Sequence, residues 1–130
     1  MDINTEKIVS DVSVVPQTLY HLVPADLYDT FIDKNGNYDC RNRVKWGKNS
    51  PFIHTTTDIK TLKEKIIGNF VKYIPGVDFL LLEIKMNDIV AKITYSDQNG
   101  TRYYHLWTFL PKGSYTTHII KRRSDGGFVL

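Results

Sequence analysis

Cysteine is almost absent: Cys40 is the only one in 130 residues. No intrachain disulfide can form, and a lone thiol of this kind leads one to expect a reducing compartment, the cytoplasm. Long hydrophobic runs are missing as well. The longest, Phe79-Leu80-Leu81-Leu82, falls far short of the roughly 20 residues that cross a bilayer as a helix, so no membrane partner is expected. The opening Met1-Asp2-Ile3-Asn4-Thr5-Glu6 has no basic segment followed by an apolar one, so no secretory signal is expected. Strong charge of one sign is lacking too. Seventeen basic and 14 acidic residues leave a formal net charge of +3. Lys121-Arg122-Arg123 is the one dense basic cluster, and without a recognition motif it reads as a solvated surface, so no nucleic-acid partner is expected. There is no CxxC pattern and no histidine pair at helical spacing, so no metal is expected. Gly126-Gly127 lacks the spacing, the lysine and the following helix of a phosphate loop.

What is present is an ordinary globular chain, 42% hydrophobic and rich in aromatics, with 8 Tyr, 6 Phe and 2 Trp. Its length suits one domain with a real core. Residues 1–18 form a polar leader, either an edge strand or a tail, and residues 19–130 form a single domain. Leu19-Tyr20-His21-Leu22-Val23 has the aromatic and aliphatic texture of a strand. Pro24 in a first turn, Asp26 behind it and the apolar Leu27, Phe31 and Ile32 predict a helix over residues 24–32. Residues 38–50 read as a polar loop carrying Arg41, Arg43, Lys45 and Trp46. A short strand at residues 52–55 leads into a second helix over 59–73, where Ile59, Leu62, Ile66, Ile67 and Phe70 recur at helical spacing. Strands follow at 77–86, 89–95, 102–109 and 115–122. Two helices followed by successive strands predict an α+β fold.

Three histidines share an apolar lead-in: His21 in Leu-Tyr-His-Leu, His54 in Phe-Ile-His-Thr and His105 in Tyr-Tyr-His-Leu-Trp. Each alone reads as a half-buried histidine bonded to backbone. If their strands are neighbours, the three rings converge on one cleft, where neutral imidazoles can orient a ligand or move a proton. His118, in a polar alternation, reads as surface. Alternation along a strand puts Thr56 on the face of His54 and Thr55 on the other, and Thr57 suits a helix N-cap. Cys40, near Arg41 and Arg43, is a weak nucleophile candidate. Glu83 and Asp97 are the carboxylates for acid or electrostatic roles, although Glu83 beside Lys85 reads equally as a surface ion pair.

Four blocks resemble one family. Leu19-Tyr20-His21-Leu22-Val23-Pro24 resembles its opening YHI strand, and Phe52-Ile53-His54-Thr55-Thr56 its FIHxS block. Asp78-Phe79-Leu80-Leu81-Leu82-Glu83-Ile84 resembles its LLxxLEID strand, and Tyr104-His105-Leu106-Trp107 its PHLY block. The chain thereby resembles the domain-of-unknown-function 952 family, with an ADP-ribosyltransferase-like fold. The resemblance implies split β-sheets with two main flanking helices and a cleft for NAD between the sheets. It implies His21, His54 and His105 as catalytic positions, and His21 and Thr56 as contacts to the nucleotide; Arg41 and Trp46, from the 38–50 loop, are expected to contact it as well. His105 stands where related enzymes place a glutamate, and Lys85 where the family has an acid. Two functions follow: glycosyl transfer from NAD, or a non-catalytic module binding a nucleotide or phosphorylated small molecule under a lid of Arg41, Arg43 and Trp46. A protein-interaction edge of Tyr103, Tyr104, Leu106 and Trp107 is a third, weaker reading.

Overall fold

In the computed structural model, the residues described are 7–8, 15–41, 50–61, 78–98, 100–122 and 128–129. They build one antiparallel sheet from β1 (Lys7–Ile8), β2 (Thr18–Pro24), β3 (Ile53–Thr56), β4 (Phe79–Lys85), β5 (Ile93–Gln98), β6 (Thr101–Leu106), β7 (Tyr115–Arg122) and β8 (Phe128–Val129). The spatial order is β1-β5-β6-β3-β2-β4-β7-β8. β4 is the centre of one half. Its apolar run is paired along its length with β2, from Thr18↔Lys85 to Pro24↔Phe79, and with β7, from Ile84↔Tyr115 to Phe79↔Ile120. Such a run suits a strand covered on both faces. The other half is the β5–β6 hairpin with β3 laid along β6. Between the halves, β2 and β3 share a single pair, Tyr20↔Thr56.

The fold corrects the α+β expectation. The described residues form a mainly β structure in one sheet, with no helix of seven or more residues among them, in place of split sheets with two main flanking helices. Residues 24–32 are not a helix because Pro24 belongs to β2, paired with Phe79, and Ala25 N–H still donates to the Asp78 carbonyl at 2.9 Å. The turns that follow close i to i−3: Leu27 N–H to Pro24 O, Phe31 N–H to Tyr28 O and Ile32 N–H to Asp29 O, ending in a 3₁₀ turn at Asp29–Phe31. The apolar spacing that mimics a helix instead wraps Tyr28 and Phe31 around the ring of Tyr38. Of the second predicted helix, Ile59–Thr61 is helical, and residues 62–73 lie outside the described residues. The strand expected at 89–95 is displaced to Ile93–Gln98, because Ile89 N–H closes a 3₁₀ turn on Met86 O. In the leader, Lys7–Ile8 pairs with β5, and residues 12–14 lie outside the described residues. No helix among the described residues is long and apolar enough to cross a membrane.

The main core lies on one sheet face. Leu19, Val23, Leu82, Ile84, Ile53, Tyr104 and Leu106 are buried there with Phe31, Tyr38 and Leu110 from the connecting segments. Tyr38 is stitched in by paired backbone bonds with Leu110. The loop before it is shaped by Asp33, whose Oδ1 accepts the Asn35 and Asn37 N–H groups. Those bonds, led by that of Asn37, hold its carboxyl below the usual carboxylate range. Gly36 then takes φ +84°, where a Cβ would lie 2.9 Å from Lys112 Cδ. The lysine stem can swing aside, but the left-handed backbone cannot be relieved that way. Gly36→Ala is therefore expected to cost about 1 kcal/mol in thermal melts. Adding Lys112→Ala should recover little of that loss.

Candidate functional site

β2 carries His21 into the sheet among apolar neighbours, so the ring sits against the core instead of facing water. Its Nδ1 lies 2.6 Å from the His54 carbonyl. A carbonyl only accepts, so Nδ1 carries the proton and Nε2 offers a lone pair. Tyr38 Oη–H fills that acceptor at 3.0 Å, and Cys40 Sγ lies 3.8 Å from the same nitrogen. Some of the residue's surface is still accessible, but burial of the ring prevails. It depresses the pKa to about 4, against the opposing effect of the His54 carbonyl. His21 is thus neutral at pH 7. Burial likewise raises the pKa of Tyr38 and pushes the Cys40 thiol up to about 11. Cys40 stays protonated, which removes the thiolate that nucleophilic chemistry requires.

His54 and His105 are a direct cross-strand pair of β3 and β6. Directly opposed residues share a sheet face, and their ring centroids are 5.1 Å apart at 76°. Phe52, two residues before His54, stacks on His105 at 4.2 Å and 23° and meets His54 edge-on at 4.7 Å. Trp107, just past the end of β6, tilts against Phe52 at 4.9 Å and donates its indole N–H to Thr94 Oγ1 at 2.9 Å. Lys92 Nζ stands 4.3 Å from the centroid of that indole. His54 Nε2 lies 3.3 Å from Ser50 Oγ. His105 is buried, His54 and Lys92 are exposed, and Phe52 and Trp107 lie between. Among the described residues the result is a surface of four flat rings with Lys92 at its margin. Such a surface can stack a planar ligand and attract an anionic one.

Thr56 shares the face of His54, but it is buried and its hydroxyl donates to the Asp58 carbonyl at 3.3 Å. Thr55 faces the core and donates to the Tyr104 carbonyl. Thr57 Oγ1 donates to Asp58 Oδ2 at 3.4 Å. The pairing Tyr20↔Thr56 puts Tyr20 on the Thr56 face. His21, the next residue, therefore lies on the opposite face and reaches His54 through the backbone, not through its ring. The structure brings His54 and His105 together and holds His21 behind them.

Arg41 is clamped by Asp39, with Nε and Nη2 at 2.9 and 3.0 Å from its two carboxylate oxygens. Trp46, Arg43 and Lys45 lie outside the described residues. Glu83 Oε1 faces His118 Nε2 at 2.9 Å across β4 and β7, and Asp97 pairs with Arg102 at 2.8 Å at the far end of the β5–β6 hairpin. Among the described residues no group of three His, Cys, Asp or Glu side chains could hold a metal ion. Tyr38 follows a turn at the start of a polar stretch, and nothing local in the sequence marks it, or the roles of Phe52 and Lys92. On the core face an open groove of about 700 Å³ runs between Tyr28, Ile32, Lys112, Tyr115 and Thr117. In it the Tyr28 and Tyr115 hydroxyls share a 2.7 Å hydrogen bond.

The fold is similar to that of protein CC0527 from Caulobacter crescentus. Its crystal structure aligns with a TM-score of 0.62 at 17% identity, over 87% of this chain and 94% of that one. At that identity the likeness shows the fold alone. No family model matches the chain, and no curated protein matches it.

Proposed function

We propose that this protein is a cytoplasmic, non-catalytic binding module of the domain-of-unknown-function 952 family that takes a nucleotide-class ligand such as NAD. The observation that carries this reading is the imidazole pair, His54 with His105, framed by Phe52 and Trp107. A nicotinamide or adenine ring would stack on this surface, and Lys92 at its edge would meet a phosphate. Lys92 takes the part expected of Arg41, which Asp39 already engages.

Glycosyl transfer from NAD is the less favoured function. Departure of nicotinamide builds oxocarbenium character, which a nearby negative group must stabilise. Glu83 is on β4, separated from β3 by the whole of β2. Asp97 is bound to Arg102 at the hairpin end. His21, whose two nitrogens face the His54 carbonyl and Tyr38, has no free site for proton transfer.

Calorimetry with NAD, ADP-ribose and nicotinamide tests the proposal. Binding of NAD is expected between about micromolar and millimolar Kd. Phe52→Ala should weaken it about tenfold, since the ring that orders both imidazoles is lost. No heat with any of the three ligands at about millimolar concentration would remove the basis of the reading. Release of nicotinamide over hours by the wild type would favour transfer over binding.

A further inference from the structure

β2 and β3 meet at one backbone pair, Tyr20↔Thr56, although each forms a full ladder with its other neighbour. Beyond that pair the imidazole of His21 takes over, placing a side-chain N–H on the His54 carbonyl at 2.6 Å where backbone donors end. We propose that His21 is a positioning residue that latches β3 to β2 and so fixes the backbone from which the His54 ring meets His105. The consequence for a ligand rests on the reading of the imidazole pair given above; the latch itself does not.

The latch is anchored on its inner side. Nε2 accepts from Tyr38 Oη–H, and Tyr38 is fully buried among Tyr28, Phe31 and Tyr115. The Cys40 thiol is a second donor for the same lone pair. Only one neutral tautomer satisfies both sides. With Nδ1–H the His54 carbonyl and the Tyr38 hydroxyl are both paired; with Nε2–H the carbonyl faces a lone pair. The ring contacts of His54 with Phe52 and His105 follow from the position of the β3 backbone, so loosening the latch disturbs the pair without touching it.

Histidine ¹⁵N spectra and amide exchange test this without any ligand. His21 should appear at pH 7 as the neutral Nδ1–H tautomer. His21→Asn keeps a donor near the Nδ1 position, so the His54 and His105 ring resonances should stay close to those of wild type. His21→Leu should move both resonances and speed exchange of the Thr55 and Thr56 amides about tenfold or more, while the β4–β7 ladder keeps its protection. A role in general stability would instead raise exchange in both halves, and the Asn variant would rescue nothing. Tyr38→Phe serves if the Leu variant does not fold: Cys40 then remains as donor and the Nδ1–H tautomer should persist. An Nε2–H tautomer at His21, or unmoved His54 and His105 resonances in His21→Leu, overturns the latch. An intact latch with no NAD binding would support this proposal and count against the nucleotide reading alone.

Discussion

Tyr38→Ala lowers stability by about 3–5 kcal/mol, enough to unfold a domain of ordinary stability. The residue has no exposed surface. Its ring stacks on Tyr28 at 5.7 Å and meets His21, Phe31 and Tyr115 at 5.5, 6.0 and 6.1 Å. Truncation opens a cavity at the junction of β2, β7 and the 25–38 segment and leaves His21 Nε2 without its phenol. Tyr38→Phe keeps the ring and loses one hydroxyl, so about 1 kcal/mol is expected, softened by the nearby Cys40 thiol. Urea midpoints of the two variants separate the packing contribution from the hydrogen bond. Equal losses would mean that the ring contributes little.

Stability falls with acidity between about pH 6.5 and pH 4 by up to about 3 kcal/mol through His21 alone. The sign follows from the depressed pKa. In the unfolded chain His21 takes up a proton near 6.5, whereas in the folded chain burial delays uptake to about 4. Over that interval the unfolded state binds more protons, so acid favours it; above it the contribution is complete, and below pH 4 the loss has run its course. The side chains facing the ring, Tyr38 and Cys40, are neutral throughout and do not add to the slope. Denaturation midpoints from pH 8 to pH 4 should therefore fall more steeply for wild type than for His21→Asn. Parallel curves would show that His21 titrates alike in both states.

The strands were legible where alternation or an unbroken apolar run was strong. β7 has the bounds expected from Tyr115-Thr116-Thr117-His118-Ile119-Ile120, and β4 lies within the predicted 77–86. The helix expected over 24–32 is replaced by three-residue turns because Pro24 stays in β2, and the apolar positions that mimic a helix put Phe31, with Tyr28, against the Tyr38 ring. Tyr38 itself follows Asn35-Gly36-Asn37, and nothing local marks it as core. Its burial comes from His21, Leu110 and Tyr115, which are remote in sequence, together with Tyr28 and Phe31. The similar texture around His54 and His105 reflects their opposed places on β3 and β6. The place of His21 on the other face depends on the register Tyr20↔Thr56, which no local pattern in the sequence displays. Asp39, two residues before Arg41, was the local sign that this arginine already had a partner.

Histidine-detected NMR during titration with NAD tests the central claim, that the His54–His105 surface receives the ligand. The His54 and His105 ring resonances are expected to move in step with Phe52 and Trp107, saturating together, while His21 keeps its neutral Nδ1–H signature. Unmoved His54 and His105 resonances at about millimolar NAD, or a response centred on His21 instead, would contradict it.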